Sequence, residues 1–188
     1  MATLYSLRNL GISPGQSKHE ELELELAPYV QAGVAYASPV SAVPGLLDVT
    51  MMTEGLSFRL RFQAELHGPC ARCLEDATLH VNVDAHAVHD SEVEDDQLRS
   101  EWVDDDEHEL DVTGWAQEEV GVRFPNRLLC RKDCRGLCDT CGIDLNQVDG
   151  VHTHDKPSDS RWDALRTLQL GTEEQAENDA ADALERGE

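Results

Sequence analysis

Residues 130–154 read CRKDCRGLCDTCGIDLNQVDGVHTH, the densest run of cysteine and histidine in the chain. Four cysteines and two histidines lie in it: Cys130, Cys134, Cys138, Cys141, His152 and His154. The other two cysteines form a Cys-x-x-Cys pair upstream, at Cys70 and Cys73. Tetrahedral zinc takes four thiolate or imidazole ligands, and these eight side chains match the number that two closed sites need. We therefore expect about two zinc ions per chain.

Disulfide and redox chemistry are the alternative roles for these cysteines. Met1 to Leu10 lacks the basic start, the long apolar core and the small-residue cleavage site of a signal peptide. We therefore expect a cytoplasmic protein, and that compartment keeps thiols reduced, which favours metal over disulfides. Neither Cys-x-x-Cys pair is predicted to follow a buried strand at the head of a long helix, as thioredoxin-like motifs do.

Length and charge limit the class of protein. A chain of 188 residues with 40% hydrophobic residues fits one domain with a modest core. No apolar run approaches the ~20 residues of a membrane span, so we expect no membrane partner. The formal net charge is −23, from 15 basic and 38 acidic residues. Because such a surface repels phosphate backbones, tight direct binding of nucleic acid is disfavoured unless basic residues cluster.

Alternating hydrophobicity predicts an antiparallel sheet. Apolar and polar residues alternate through residues 21–26, 56–66 and 79–85, and 30–36 and 46–53 are further strand candidates. The Cys70–Cys73 pair falls between two of the clearest strands, at the tip of a predicted hairpin. A metal ion held there needs two further ligands from elsewhere in the chain.

One helix is predicted between the sheet and the cysteine-rich stretch. Asp111 or Thr113 can cap it, apolar residues follow at steps of four up to Phe124, and Pro125 ends it. Residues 90–109 are strongly acidic, and we interpret them as a solvated loop or a disordered segment.

We therefore predict an α+β fold, with a mainly antiparallel sheet packed against this helix and a zinc-bound knuckle module at about 130–154. Residues 1–171 form one domain in this interpretation, including a short helix through Trp162, Leu165 and Leu168. Residues 172–188 form an acidic tail that we expect to be disordered or solvated. No catalytic motif or phosphate-binding loop appears.

Several motifs together resemble one known family. They are CARCL after an alternating strand, ELDVTGWAQEEVGVRFP, CRKDCRGLCDTCGIDLN and DSRWDALRTL. The combination is similar to the YceD family of large ribosomal RNA subunit accumulation proteins, from about residue 56 to residue 170. The resemblance implies a bacterial cytoplasmic role in the synthesis, processing or accumulation of large-subunit (23S) rRNA. It carries over no catalytic residue.

The resemblance also implies how the eight ligands divide. Some relatives keep the equivalents of the pairs Cys70–Cys73 and Cys130–Cys134 but lack the segment that follows them. The resemblance therefore assigns these four cysteines to one site. The second site is then Cys138, Cys141, His152 and His154. Relatives often have Cys-x-Cys in place of the histidine pair, an exchange that preserves zinc ligands.

The preferred function is a non-enzymatic ribosome-biogenesis factor that acts through ribosome-assembly or transcription proteins. One alternative is a direct RNA-binding zinc module, which would use the basic residues beside the cysteines. These are Arg123, Arg127, Arg131, Lys132 and Arg135. Another alternative is an enzyme of RNA processing or redox chemistry, which would need an open metal position or an exposed thiolate.

Overall fold

Nine strands and one helix build the part of the chain that the computed structural model describes, residues 3–92 and 98–154. The chain divides into two units, Met1–Val148 and Asp149–Glu188. The strands and the helix all lie in the first unit. Its largest sheet is antiparallel with the strand order β2-β5-β6-β7. These strands are β2 (Ser17–Leu24), β5 (Val43–Met51), β6 (Leu56–Pro69) and β7 (Asp76–His89).

The hairpin of β6 and β7 is the longest element of this sheet. Its 14 pairs run without a bulge from Leu56 opposite His89 to Pro69 opposite Asp76. Side chains of a strand alternate between the two faces of a sheet, so the apolar half of each strand is buried. Residues on this buried face include Phe58, Leu60, Leu66, Val81 and Val83. The alternation in the sequence thus predicts the hairpin correctly.

Two smaller antiparallel sheets flank the large one. β3 (Tyr29–Gln31) and β4 (Val34–Tyr36) form a hairpin with Ala32 and Gly33 at its turn. Both turn residues have positive φ, 51° and 81°, as a two-residue type I′ turn requires. The other sheet has the order β1-β9-β8, from β1 (Leu4–Ser6), β8 (Val103–Asp104) and β9 (Glu109–Asp111).

The helix α1 (Val112–Arg123) begins and ends where the sequence predicts. The Asp111 carboxylate accepts a hydrogen bond of 2.8 Å from the Gly114 N–H and so caps the first turn. The buried side of the helix includes Val112, Trp115 and Ala116, all of which belong to the core together with the inward residues of the large sheet.

The interpretation of residues 90–109 as a loop is wrong for their second half, because β8 and the start of β9 lie there. Leu110 of β9 is fully buried and pairs with Tyr5 of β1, so one apolar residue fixes this short sheet. Asp105 accepts hydrogen bonds from His89 and Arg99. Burial raises the pKa of the Asp105 carboxyl, but these two bonds outweigh burial and hold the pKa below its usual range.

The structure confirms the predicted fold class of mainly antiparallel sheet with one packed helix. The predicted helix through Trp162, Leu165 and Leu168 and the tail 172–188 lie outside the described residues, and the predicted boundary at residue 171 stays a prediction. Within the described ranges, no helix is long and apolar enough to cross a membrane.

Candidate metal centres

Four cysteines from two distant parts of the chain meet beside the core of the first unit. Cys70 and Cys73 come from the turn between β6 and β7, and Cys130 and Cys134 come from the segment after α1. Their four sulfur atoms all lie within 4.8 Å of one another. All but Cys130 are buried, and no disulfide joins any of the six cysteines, which all lie in the described residues. These four side chains form a cluster that could hold a metal ion.

The spacing of the sulfur atoms fits a tetrahedral zinc ion. With Zn–S bonds of about 2.3 Å at tetrahedral angles, two ligand sulfurs lie about 3.8 Å apart. The Sγ atoms of Cys70 and Cys134 are 3.8 Å apart, and those of Cys73 and Cys130 are 3.5 Å apart. A disulfide would instead need about 2 Å between the sulfurs. The distances therefore favour the metal interpretation over the disulfide one.

The electrostatics of the cluster also favour a cation. Burial raises the pKa of the Cys70 thiol, but hydrogen bonds from backbone N–H groups outweigh burial and lower it to about 6. The donors are Cys73, Cys130 and Arg72. A backbone hydrogen bond at Glu75 lowers the pKa of the Cys73 thiol. Burial and the neighbouring thiols have the larger combined effect and raise this pKa to about 12. One thiolate forms readily and then opposes the next, so a divalent cation is needed to hold several thiolates together.

The turn at Cys70 and Cys73 is a knuckle closed by backbone hydrogen bonds. The Cys70 N–H donates to the Glu75 carbonyl oxygen at 2.7 Å, and the Leu74 N–H donates to the Cys70 carbonyl oxygen at 3.1 Å. The Arg72 N–H donates to the Cys70 sulfur at 3.4 Å. Leu74 has a φ of 65°, which turns the chain back toward the next strand. This arrangement directs both sulfurs to one side of the loop.

Cys138 and Cys141 form a second knuckle in the same unit with the same bonds at the same positions. The Cys138 N–H donates to the Ile143 carbonyl oxygen and the Gly142 N–H donates to the Cys138 carbonyl oxygen, both at 2.9 Å. The Thr140 N–H donates to the Cys138 sulfur at 3.5 Å. Gly142 has a φ of 72° at the position of Leu74. The two sulfurs lie within 4.8 Å of each other, so this pair is arranged like the first.

The predicted histidine ligands lie in the second unit, 149–188. The Nε2 atoms of His152 and His154 are 2.8 Å apart, and the two rings meet edge to face. The alternation of a His-x-His sequence thus places two metal-binding nitrogens next to each other. Their pairing with Cys138 and Cys141 stays a prediction.

Two side chains that the sequence analysis did not single out support the cysteines. The Asn146 side-chain amide donates to the Cys134 sulfur at 3.6 Å, while its oxygen accepts the Arg135 N–H at 2.7 Å. The Arg72 guanidinium donates to the Cys134 carbonyl oxygen at 2.7 Å. Donors to a ligand sulfur stabilise its thiolate and fix its direction. The only sequence signal for Asn146 is its place at the end of the string CRKDCRGLCDTCGIDLN.

The five basic residues of the predicted RNA contact are exposed, but three are engaged within the chain. These are Arg123 with the Glu119 carboxylate, Arg131 with the Asp133 carboxylate, and Arg135 with the Val148 carbonyl oxygen. Arg127 and Lys132 are the remaining two. Contact of this patch with RNA or a partner stays a prediction.

Comparison with known proteins gives a family match and several relatives. The family model described as large ribosomal RNA subunit accumulation protein YceD matches residues 58–169. An uncharacterized protein of Mycobacterium bovis is 32% identical over 133 residues, 68% of this chain and 61% of the relative. Two uncharacterized proteins of Mycobacterium tuberculosis match with the same figures.

The chain therefore spans less than two thirds of the length of these relatives. No solved structure gives a significant match. The matched residues of the family model include α1 and the whole four-cysteine cluster, and they make up more than half of the chain. The chain thus belongs to the YceD family, which is named for accumulation of large ribosomal RNA.

Proposed function

We propose that this chain is a non-enzymatic ribosome-biogenesis factor that promotes accumulation of large-subunit (23S) rRNA in the cytoplasm, acting through protein partners and stabilised by zinc. The observation that carries the proposal is the four-cysteine cluster inside a chain of the YceD family. The family supplies the biological process. The cluster supplies the physical role of the metal.

The cluster supports a structural role because the protein supplies all four ligands. A zinc ion held by Cys70, Cys73, Cys130 and Cys134 has no open position for water or substrate, whereas catalytic zinc keeps one. Zinc supplies four short bonds there and draws the Cys70–Cys73 knuckle and the segment after α1 together. Three of the four thiols are buried, so they are not placed for redox exchange with a partner.

A second zinc ion joins the Cys138–Cys141 knuckle with His152 and His154. Two observations support this second site. The Cys138–Cys141 knuckle repeats the backbone hydrogen bonds of the Cys70–Cys73 knuckle, and the imidazole nitrogens of His152 and His154 lie next to each other. Two cysteines and two histidines complete a tetrahedral set. The ligand spacing is that of a local structural site, Cys-x2-Cys followed by His-x-His.

Protein partners are favoured over direct contact with RNA. The net charge of −23 repels phosphate, and intrachain partners engage three of the five predicted basic contacts. Partners that assemble ribosomes or transcribe rRNA fit this requirement. Direct binding of RNA is the second candidate, and the exposure of Arg127 and Lys132 beside the cluster favours it.

The test is to remove the protein from its bacterial host and measure the ratio of large-subunit to small-subunit rRNA. We expect the ratio to fall and the intact chain to restore it. An unchanged ratio would refute the proposed function. The double variant Arg127→Ala/Lys132→Ala separates the two candidates, because we expect it to restore the ratio if partners are proteins and to fail if the patch holds RNA.

Affinity capture of the intact chain, with and without RNase, gives an independent answer. Ribosomal proteins or polymerase subunits that stay bound after RNase identify a protein route. If every partner is lost after RNase and binding to rRNA weakens steeply with salt, direct RNA binding replaces the proposal.

A further inference from the structure

The outer edge of β7 carries a row of backbone groups that the sheet does not use. β7 is the edge strand of the order β2-β5-β6-β7, and β6 is its partner over all 14 residues. The Cys70 N–H donates to the Glu75 carbonyl oxygen at the end of the hairpin. Because bonded pairs recur at every second residue of an antiparallel ladder, odd-numbered residues of β7 bond to β6. Even-numbered residues therefore direct their N–H and C=O groups outward.

Two other hydrogen bonds agree with this assignment. Just beyond β7, the Asp90 N–H donates outward to the Leu98 carbonyl oxygen at 2.8 Å. On the other strand, His67 exchanges both backbone bonds with Ala37 on the side away from β7, at 2.8 and 3.0 Å. In the described parts of the chain, the outward backbone groups from Thr78 to Asp84 have no partner.

Apart from the charges of Asp76 and Asp84, the described residues give this edge none of the usual features that prevent one strand from pairing with another. Proteins protect edges with proline, lysine, bulges or a covering segment. β7 contains no proline, glycine or lysine, and its register with β6 has no bulge. His80, Asn82 and Asp84 are exposed on the outer face, while Val81 and Val83 are buried on the inner face. A strand added here would extend both faces of the sheet.

We infer that this edge binds a second copy of the same chain, with the two β7 strands antiparallel about a two-fold axis at Asn82. In this register even-numbered residues oppose even-numbered residues, as the outward direction of their backbone groups requires. Asn82 then opposes Asn82 of the second copy. His80 of each copy opposes Asp84 of the other, and on the buried face Val81 opposes Val83.

Charge complementarity selects this register. A two-fold axis at His80 would place Asp76 opposite Asp84, and an axis at Val83 would place Asn82 rather than His80 opposite Asp84. An axis at Asp84 would place two Asp84 carboxylates together. Like charges directly opposite destabilise a strand pair, whereas opposite charges and β-branched pairs stabilise it. An axis at Val81 places Asp84 opposite only a threonine, Thr78, so the axis at Asn82 has the best pairs at its centre.

Sedimentation equilibrium of the full chain tests the inference. The charge of −23 on each copy opposes association, so we expect a monomer–dimer equilibrium that shifts toward the dimer as salt screens this charge. Asn82→Pro removes an N–H that the sheet does not use and should raise the dimer Kd at least about tenfold. The control Asn82→Ala keeps that N–H, and its Kd should stay within about threefold of the wild-type value.

Circular dichroism and metal content are measured for each variant as a control, and both should match the wild type if the monomer fold is kept. A second pair of variants tests the register without changing the backbone. His80→Asp places a carboxylate opposite Asp84 of the other copy and should weaken the dimer, whereas the uncharged control His80→Asn should leave its Kd within about threefold of the wild-type value. Asp84 is kept in both variants because it accepts two hydrogen bonds of 2.7 Å from the Arg59 guanidinium of its own chain. A chain that stays monomeric at all concentrations and salts overturns the inference. So does a dimer that Asn82→Pro leaves unchanged, or one that His80→Asp leaves unchanged.

Discussion

Replacement of Cys73 by serine tests how far the four-cysteine cluster stabilises the whole first unit. The cluster closes a loop of 56 residues, from 74 to 129, which contains β7 and α1. A cross-link over a loop of this length lowers the entropy of the unfolded chain by an amount equivalent to about 4 kcal/mol. Serine is a poor zinc ligand, so Cys73→Ser loses this contribution and leaves three thiols without their metal.

Thermal unfolding followed by circular dichroism measures the effect. For a unit of this size, each kcal/mol lowers Tm by about 2–4 °C, so we expect a fall of about 8–16 °C. Hydrogen exchange should show faster exchange through β6, β7 and α1, because the cluster ties the turn between β6 and β7 to the segment after α1. The matched control is Cys141→Ser, which changes the same chemistry at an exposed cysteine outside the core. It should speed exchange mainly from about Cys138 to His154 and change Tm little.

Two results would contradict this reasoning. If Cys73→Ser keeps the Tm of the wild type, the cluster does not hold the unit together. If both variants speed exchange equally through the sheet and the helix, the division of the ligands into a core site and a local site is wrong.

Three further results are expected. Elemental analysis should find about two zinc ions per chain, and replacing His152 and His154 by alanine should remove one, whereas replacing both by cysteine should keep two. Asn146→Ala removes a donor to the Cys134 sulfur and should lower zinc affinity about tenfold or more, as a competition titration with a chelator can measure. Asp105→Asn should destabilise the fold at pH 7 in urea unfolding. That difference should shrink below about pH 4, because a carboxyl whose pKa is lowered by folding contributes stability that is lost as protons bind.

Most of the correct predictions from the sequence rest on the periodicity of hydrophobic residues and on the spacing of the candidate ligands. Alternation predicts β6 and β7 because one face of the sheet is buried and the other is solvated. Asp111 and Pro125 bracket α1 because capping and the missing proline N–H are local effects. The family resemblance implies that Cys70 and Cys73 meet Cys130 and Cys134. Spacing alone does not say which distant cysteine pairs share an ion.

Other features depend on contacts that no local pattern records. β9 lies in a strongly acidic segment, and its place is fixed by one buried residue, Leu110, and by pairing with β1 near the start of the chain. Asn146 is a polar loop residue in the sequence, and its role depends on the approach of the Cys134 sulfur. Charge composition predicts a solvated segment correctly only where no distant strand is available to pair with it.

The two knuckles show that backbone geometry, rather than one residue type, defines this kind of Cys-x-x-Cys turn. Gly142 takes the left-handed conformation without a steric cost, and the sequence signal there is plain. Leu74 takes the same conformation at a cost of about 1–2 kcal/mol, so no local preference predicts it. The structure keeps Leu74 in that conformation because the Cys70–Glu75 bond, the β6–β7 register and the four sulfurs all require the chain to turn there. We expect metal binding to offset this strain, so that the knuckle at the core tolerates leucine where the exposed knuckle has glycine.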